Sequence, residues 1–183
     1  DPIEALWNAI KSDTIKLKAK RNKLREVKVL VARLDPDPLD GKIRTLRDLG
    51  KELSVSAERI RQVFHKGKRK LVSKVRGKEL GRVIKIINEN YDLHNKTKSQ
   101  ILAWYYQLLI RNKCAEEFAS IIFSALRHIH SIDLTKIKVA TEDYRESLLK
   151  LKRYEKVEDK KIILDKRVIK KADKFVLSVL NKS

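Results

Sequence analysis

Between Ala57 and Lys78 the chain carries Arg59, Arg61, Lys66, Lys68, Arg69, Lys70, Lys74, Arg76 and Lys78, with Glu58 the lone acid opposing them. Guanidinium and ammonium groups at this density suit phosphate, and a merely solvated helix face does not need so many. Three neighbouring side chains have a second capability. A carboxylate such as Glu58 can accept from cytosine N4, a guanidinium such as Arg61 can donate twice to guanine, and an amide such as Gln62 can pair twice with adenine. His65, beside Lys66, adds at most a weak phosphate contact. The chemistry on offer is polyanion binding, with base reading within reach.

Such groups need a helix to carry them and another to seat it. Leu46, Leu49 and Leu53 form one apolar edge, Ser54 and Val55 turn the chain, Ser56 can cap the next helix, and Ile60, Val63 and Phe64 form the facing edge. Two short helices must then cross closely. Gly50 falls at the crossing, where the absence of Cβ removes a steric bar at a cost of about 1 kcal/mol in helix propensity. This is the pattern of a helix-turn-helix, whose second helix enters the major groove.

The strings TLRDLG (Thr45 to Gly50), VSAERIRQ (Val55 to Gln62) and KGKRKL (Lys66 to Leu71) resemble the promoter-binding C-terminal domain, region four, of the sigma-70 family of bacterial RNA polymerase sigma factors. Leu24 to Leu30 resembles the helix preceding that motif, so the likeness covers about Leu24 to Val75. It implies that Glu58, Arg61 and Gln62 face bases of the upstream promoter element. Arg59, His65, Lys66, Lys68, Arg69 and Lys70 would then lie nearer phosphate or polymerase, and the flap of the RNA polymerase core would be the dock. Ala57 departs from the family, which usually has Arg there, so one anchoring or base contact is expected to be missing. Ser54 replaces the usual turn glycine, at a cost of ~1 kcal/mol if its φ is positive. The expected function is sequence-specific binding of double-stranded DNA as a sigma-like initiation factor. Two alternatives stay open: a DNA-targeting domain of a larger DNA-processing enzyme, or a polymerase-binding regulator that does not read promoter DNA.

The rest of the chain predicts an all-α fold. Prolines end at Pro38 and glycines at Gly81, and the residues beyond pattern as amphipathic helices. Core stripes run through Ile101, Tyr105, Leu108 and Leu109; Phe118, Ile121, Ile122, Ala125, Leu126 and Ile129; Tyr144, Leu148 and Leu151; and Val168, Ala172, Phe175, Val176 and Val179. Helix starts are expected at Thr97 or Ser99 and at Thr141, with a loop over Lys136 to Thr141. Upstream, a short helix around Ala5 to Lys11 carries Trp7, a long one runs from about Thr14 to Leu34, and Asp35 to Gly41 is a loop. Two domains follow: residues 1–81, about four helices including the sigma-like pair, and residues 82–183, a helical bundle whose role the sequence leaves open. The basic stretch Lys152 to Lys174 allows a second phosphate contact.

Other chemistry is poorly supported. His128 and His130 point about 200° apart on a helix and do not converge on a metal. Trp104, Tyr105 and Tyr106 read as core or interface, Glu116 and Glu117 as acids favoured at a helix start, and Cys114 as a small buried hydrophobe that excludes an internal disulfide. His94 has no readable role. No phosphate loop, nucleophile elbow or metal triad occurs, so neither an enzyme nor a cofactor is expected. The net charge of +20 over 183 residues points to a polyanionic partner. A chain of this length can bury roughly 70% of its unfolded surface, enough for one domain or two small ones. No apolar run nears the roughly 20 residues of a membrane span, and no signal pattern opens the chain, so a cytoplasmic setting is expected. The sequence lacks methionine and opens at Asp1, which suggests a piece of a longer protein or complex.

Overall fold

A computed structural model describes residues 1–17, 24–34, 43–73 and 77–180, without the side chains of residues 24, 25 and 159–180. Its elements are all helical: α1 (Pro2–Lys16), α2 (Leu24–Leu34), α3 (Leu46–Glu52), α4 (Ala57–Leu71), α5 (Lys78–Asn90), a 3-10 turn (Leu93–Asn95), α6 (Lys98–Arg111), α7 (Glu116–His130) and α8 (Leu134–Leu180). The expected loop at Asp35 to Gly41, Lys74, Arg76 and the stripe from Val168 to Val179 lie outside the described residues or side chains. Among the described residues no helix is long and apolar enough to cross a membrane.

The chain divides into two compact units, Asp1–Tyr144 and Arg145–Ser183. The division expected at Gly81 falls inside α5, which packs against α1. In the second unit Leu148 is buried, whereas Leu149, Tyr154 and Val157 are exposed.

The N-terminal helices differ from expectation. Instead of ending near Lys11, α1 continues through Thr14, whose hydroxyl donates to the Ile10 carbonyl (2.7 Å). Asp13, buried on this helix, caps a different one. Its carboxylate accepts from the backbone N–H groups of Glu79 (3.2 Å) and Leu80 (3.0 Å). The α5 N-cap is Gly77, which has no side chain to offer, so Asp13 supplies the missing acceptor from across the core.

The two short helices pack as their apolar edges require. Leu49, Ile60 and Phe64 are buried, Thr45 caps α3 through Asp48 N (3.1 Å), and Ser56 caps α4 through Arg59 N (3.1 Å). A Cβ on Gly50 would lie 2.7 Å from the Val55 carbonyl oxygen, so this glycine is what lets the turn fold back over α3. Ser54 has φ 54°, the left-handed region where a glycine would be unstrained. Helix α2 also packs against α4, with Val27, Leu30 and Leu34 buried and Leu30 beside Gly67.

Farther along, Thr97 and Gln100 form a reciprocal capping box that starts α6. Thr141 starts nothing. It lies inside α8, and its hydroxyl donates back to Ile137 O (2.8 Å). The helix begins after Asp133, which accepts from Thr135 N (2.7 Å), and its inward residues Ile137 and Tyr144 are two turns apart. The expected loop over Lys136 to Thr141 is therefore helix. Tyr105 and Tyr144 are fully buried, as the core stripes predict. The Tyr144 hydroxyl is within hydrogen-bonding reach of the carbonyls of Cys114 (2.8 Å) and Leu109 (3.2 Å).

A polar chain crosses this core. Tyr105 OH donates to Asn88 Oδ1 (2.8 Å), which turns Asn88 Nδ2 toward His130 Nε2 (2.7 Å). His130 Nε2 must then accept, so the ring is neutral with its proton on Nδ1. Burial, and secondarily Lys98, hold its pKa below the ordinary 6.5.

Two expectations follow. Gly50→Ala should destabilise the chain by about 1–3 kcal/mol despite its better helix propensity, because the Val55 carbonyl must move, whereas Ser54→Gly should stabilise it by about 0.5–1 kcal/mol. Denaturant titration measures both. Because the folded pKa of His130 lies below its unfolded value, its contribution is full above pH 6.5 and is lost as pH falls from there through the folded pKa. A series of Tm values against pH should show this decline, and His130→Gln should reduce it; the smaller slope that remains would include His65, whose pKa is also lowered.

Candidate nucleic-acid interface

Helix α4 has a clean division of faces. Ile60, Phe64, Gly67 and Leu71 point inward, and a Cβ on Gly67 would come within 2.7 Å of Leu30 Cδ1. The glycine of the KGKRK string thus serves packing against α2. Glu58, Arg59, Arg61, Gln62, His65, Lys66 and Arg69 are exposed on the rest of the helix.

The three expected base-reading residues are brought together. Glu58 receives both Nε and Nη2 of Arg61 (2.8 and 2.7 Å) and, more loosely, Nε2 of Gln62 (3.4 Å). Arg59 Nη1 donates to Gln62 Oε1 (3.3 Å). Hydrogen bonding from Arg61 holds the Glu58 pKa below the ordinary carboxylate value, and the same bonds raise that of Arg61. The carboxylate occupies one side of the guanidinium fork. The end of the fork, with Nη1 and the second Nη2 hydrogen, still faces outward with donors to spare.

The expected phosphate set splits. Arg59, His65, Lys66 and Arg69 are exposed, but Lys70 is turned inward, where its ammonium bonds the buried Glu26 carboxylate at 2.5 Å. Lys66 approaches the other oxygen of Glu26 at 3.6 Å. Half-buried Lys68 donates to the Ser120 hydroxyl on α7, and burial lowers its pKa. Lys68 and Lys70 therefore tie α4 to its neighbours. Sequence spacing could not separate them from Arg69, because their partners lie on helices distant in the chain.

The structure also gives residues places that sequence reading did not. Arg127 and His128 of α7 share a cavity with His65, Lys68 and Arg69. Glu117 pairs with Arg33 of α2, which also donates to Arg44 O (2.6 Å), so one of the two helix-start acids spans two helices. Trp104, Tyr105 and Tyr106 are engaged with other rings: Trp104 with Tyr91 and Tyr106 with Phe123. Burial pushes the Cys114 thiol up to about 11, so it is a poor nucleophile. Among the described residues no three His, Cys, Asp or Glu side chains are placed to share a metal ion.

No family model, curated protein or solved structure matches this chain.

The split within KGKRK can be measured directly. Lys70→Ala should destabilise the fold by about 1–3 kcal/mol, since it removes a hydrogen-bonding cation from a buried carboxylate, and Glu26→Gln in the same chain should recover part of the loss. Arg69→Ala should leave Tm unchanged. Thermal unfolding of the three variants at one pH gives the comparison.

Proposed function

We propose that this chain is a sigma-like transcription initiation factor that binds double-stranded DNA through α4, reading a promoter element with Glu58, Arg61 and Gln62 and docking on the RNA polymerase core at its flap. The role is binding and not catalysis, in a cytoplasmic setting. One observation carries the reading: a helix seated by α2 and α3 that turns one contiguous set of base-pairing and cationic groups to solvent. An α-helix fits the major groove. The cations that stay exposed, Arg59, Lys66 and Arg69, flank the readers as phosphate contacts would. The family motif strings carry the assignment to transcription initiation and to polymerase.

Binding of the full chain to duplex DNA should weaken steeply with salt, with a log–log slope of about −0.9 for each phosphate contact. Arg61→Ala should cost roughly ten- to a hundred-fold on the preferred site and relax selection at one base pair. Arg69→Ala should weaken all sequences about equally. Selected-site binding at one salt concentration reads both, and a uniform loss for both variants would reduce α4 to an electrostatic grip. Co-purification of the full chain with RNA polymerase core tests the dock. Duplex binding without it would favour the DNA-targeting domain of a larger enzyme, and the reverse a regulator that does not read DNA.

A further inference from the structure

A cavity of about 210 Å³ lies between α4, α7 and the first turn of α8. Its rim carries His65, Lys68 and Arg69 from one side and Arg127 and His128 from the other, and Val72 and Ile137 contribute an apolar wall. Among the described residues no carboxylate lines it. Several cations of this unit are met by acids, Lys28 and Arg44 by Glu52, Lys16 and Arg82 by Glu79, and Lys66 and the inward-turned Lys70 by Glu26. Among the described residues Lys68, Arg69 and Arg127 make no ion pair.

Lys68 makes the arrangement informative. Its ammonium is half-buried with a neutral serine hydroxyl for company, so part of its desolvation goes uncompensated, and Arg69 and Arg127 on the same cavity have no acid partner either. An anion in the cavity would relieve all of these at once. The apolar wall argues for more than a bare ion, because a fully hydrated anion gains nothing from Val72 and Ile137. A sugar attached to the phosphate does.

We infer that this cavity seats one deoxyribose-phosphate unit of a DNA backbone, the phosphate against the cationic rim and the sugar against the apolar wall. The inference rests on the duplex-binding reading above and extends it from α4 to α7. His65 and Arg69 belong both to the exposed surface of α4 and to the cavity, so a backbone strand leaving α4 reaches Arg127 without passing an acid. The interface is then built from two helices, the second of which lies outside the segment that resembles a sigma factor.

The test uses the full chain, a duplex carrying its selected site, and a salt series. Arg127 and His128 are exposed, so their alanine variants should fold. Arg127→Ala should lower the magnitude of the salt slope by about 1 and weaken all sequences equally, and His128→Ala should weaken binding without altering the preferred site. If wild type binds duplex and Arg61→Ala weakens it, but Arg127→Ala keeps the wild-type slope and affinity, the cavity assignment falls and the reading of α4 survives. If wild type binds no duplex at all, both fall. A second arm titrates inorganic phosphate alone and follows the backbone amide signals of Ser124 and Arg127. Saturable shifts from phosphate, combined with an unaltered duplex slope in Arg127→Ala, would mean that the cavity takes a free phosphate and would overturn the DNA-backbone assignment.

Discussion

The buried carboxylate of Glu26 is the constraint on which the cationic helix depends. A helix as basic as α4 cannot pack against a neighbour unless its inward-leaning charges are met, since an unpaired buried ammonium would shed its proton or disrupt the contact. Glu26 meets Lys70 from α2, with Lys66 at the margin, and Ser120 meets Lys68 from α7. With those lysines held, the apolar stripe from Ile60 to Leu71 can close onto Leu30 at the level of Gly67. What remains outside is a set of polar groups paired only among themselves or not at all, with Lys66 at the margin.

The same accounting separates structural from available charge over the first unit. Arg33 is half-buried and committed to Glu117 and to the Arg44 carbonyl, which binds α2 to α7. Asp13 is spent on the free N–H groups of α5. Acids are scarce in a chain of net charge +20, and several of them sit where they hold helices together. Cations without an acid partner include Arg69 on α4 and Arg127 near the C-terminal end of α7, which share one cavity, and charge gathered in this way is where an anion would bind favourably.

Much of this was legible in the sequence because it depends on local pattern. The apolar edges of α3 and α4, the crossing at Gly50, the caps at Ser56 and Thr97 and the stripe of α7 all follow from residue type and helical period. The missed features are those in which a residue serves an element far away. Asp13 is a cap for a helix more than sixty residues downstream, and nothing in the sequence around it marks that role. Lys70 looks identical to Arg69 in the string KGKRK until Glu26 is brought beneath it. Helix ends after Gly81 were equally hidden, because Asp92, Lys113 and Ser131 adopt the left-handed conformation that glycine usually marks. Arg127 and His128 carried no motif at all, and only packing of α7 beside α4 brings them to the cavity.

On the proposed reading of α4 as a base-contacting helix, the pairing of Glu58 with Arg61 bears on how selective it would be. A flexible arginine alone must lose side-chain entropy to align both donors on guanine, whereas a fork already held along its Nε side has less to lose when its end meets a base. Glu58 therefore orients Arg61 at little cost as long as its own carboxylate remains partly hydrated. The arrangement also makes errors expensive. Where the groove offers no acceptor to the fork, two desolvated donors go unsatisfied, and where Glu58 is pressed against an acceptor edge its charge is repelled. Gln62, linked to both Glu58 and Arg59, is tied to the same unit, so a substitution at any of the four should be felt by the others and should not act as an independent contact. Ala57, one position before Glu58 at the start of α4, contributes no polar group to this unit. On the proposed reading the specificity of the chain is then set by Glu58, Arg61 and Gln62 acting as a linked unit that Arg59 helps to hold, with one contact fewer where Ala57 stands.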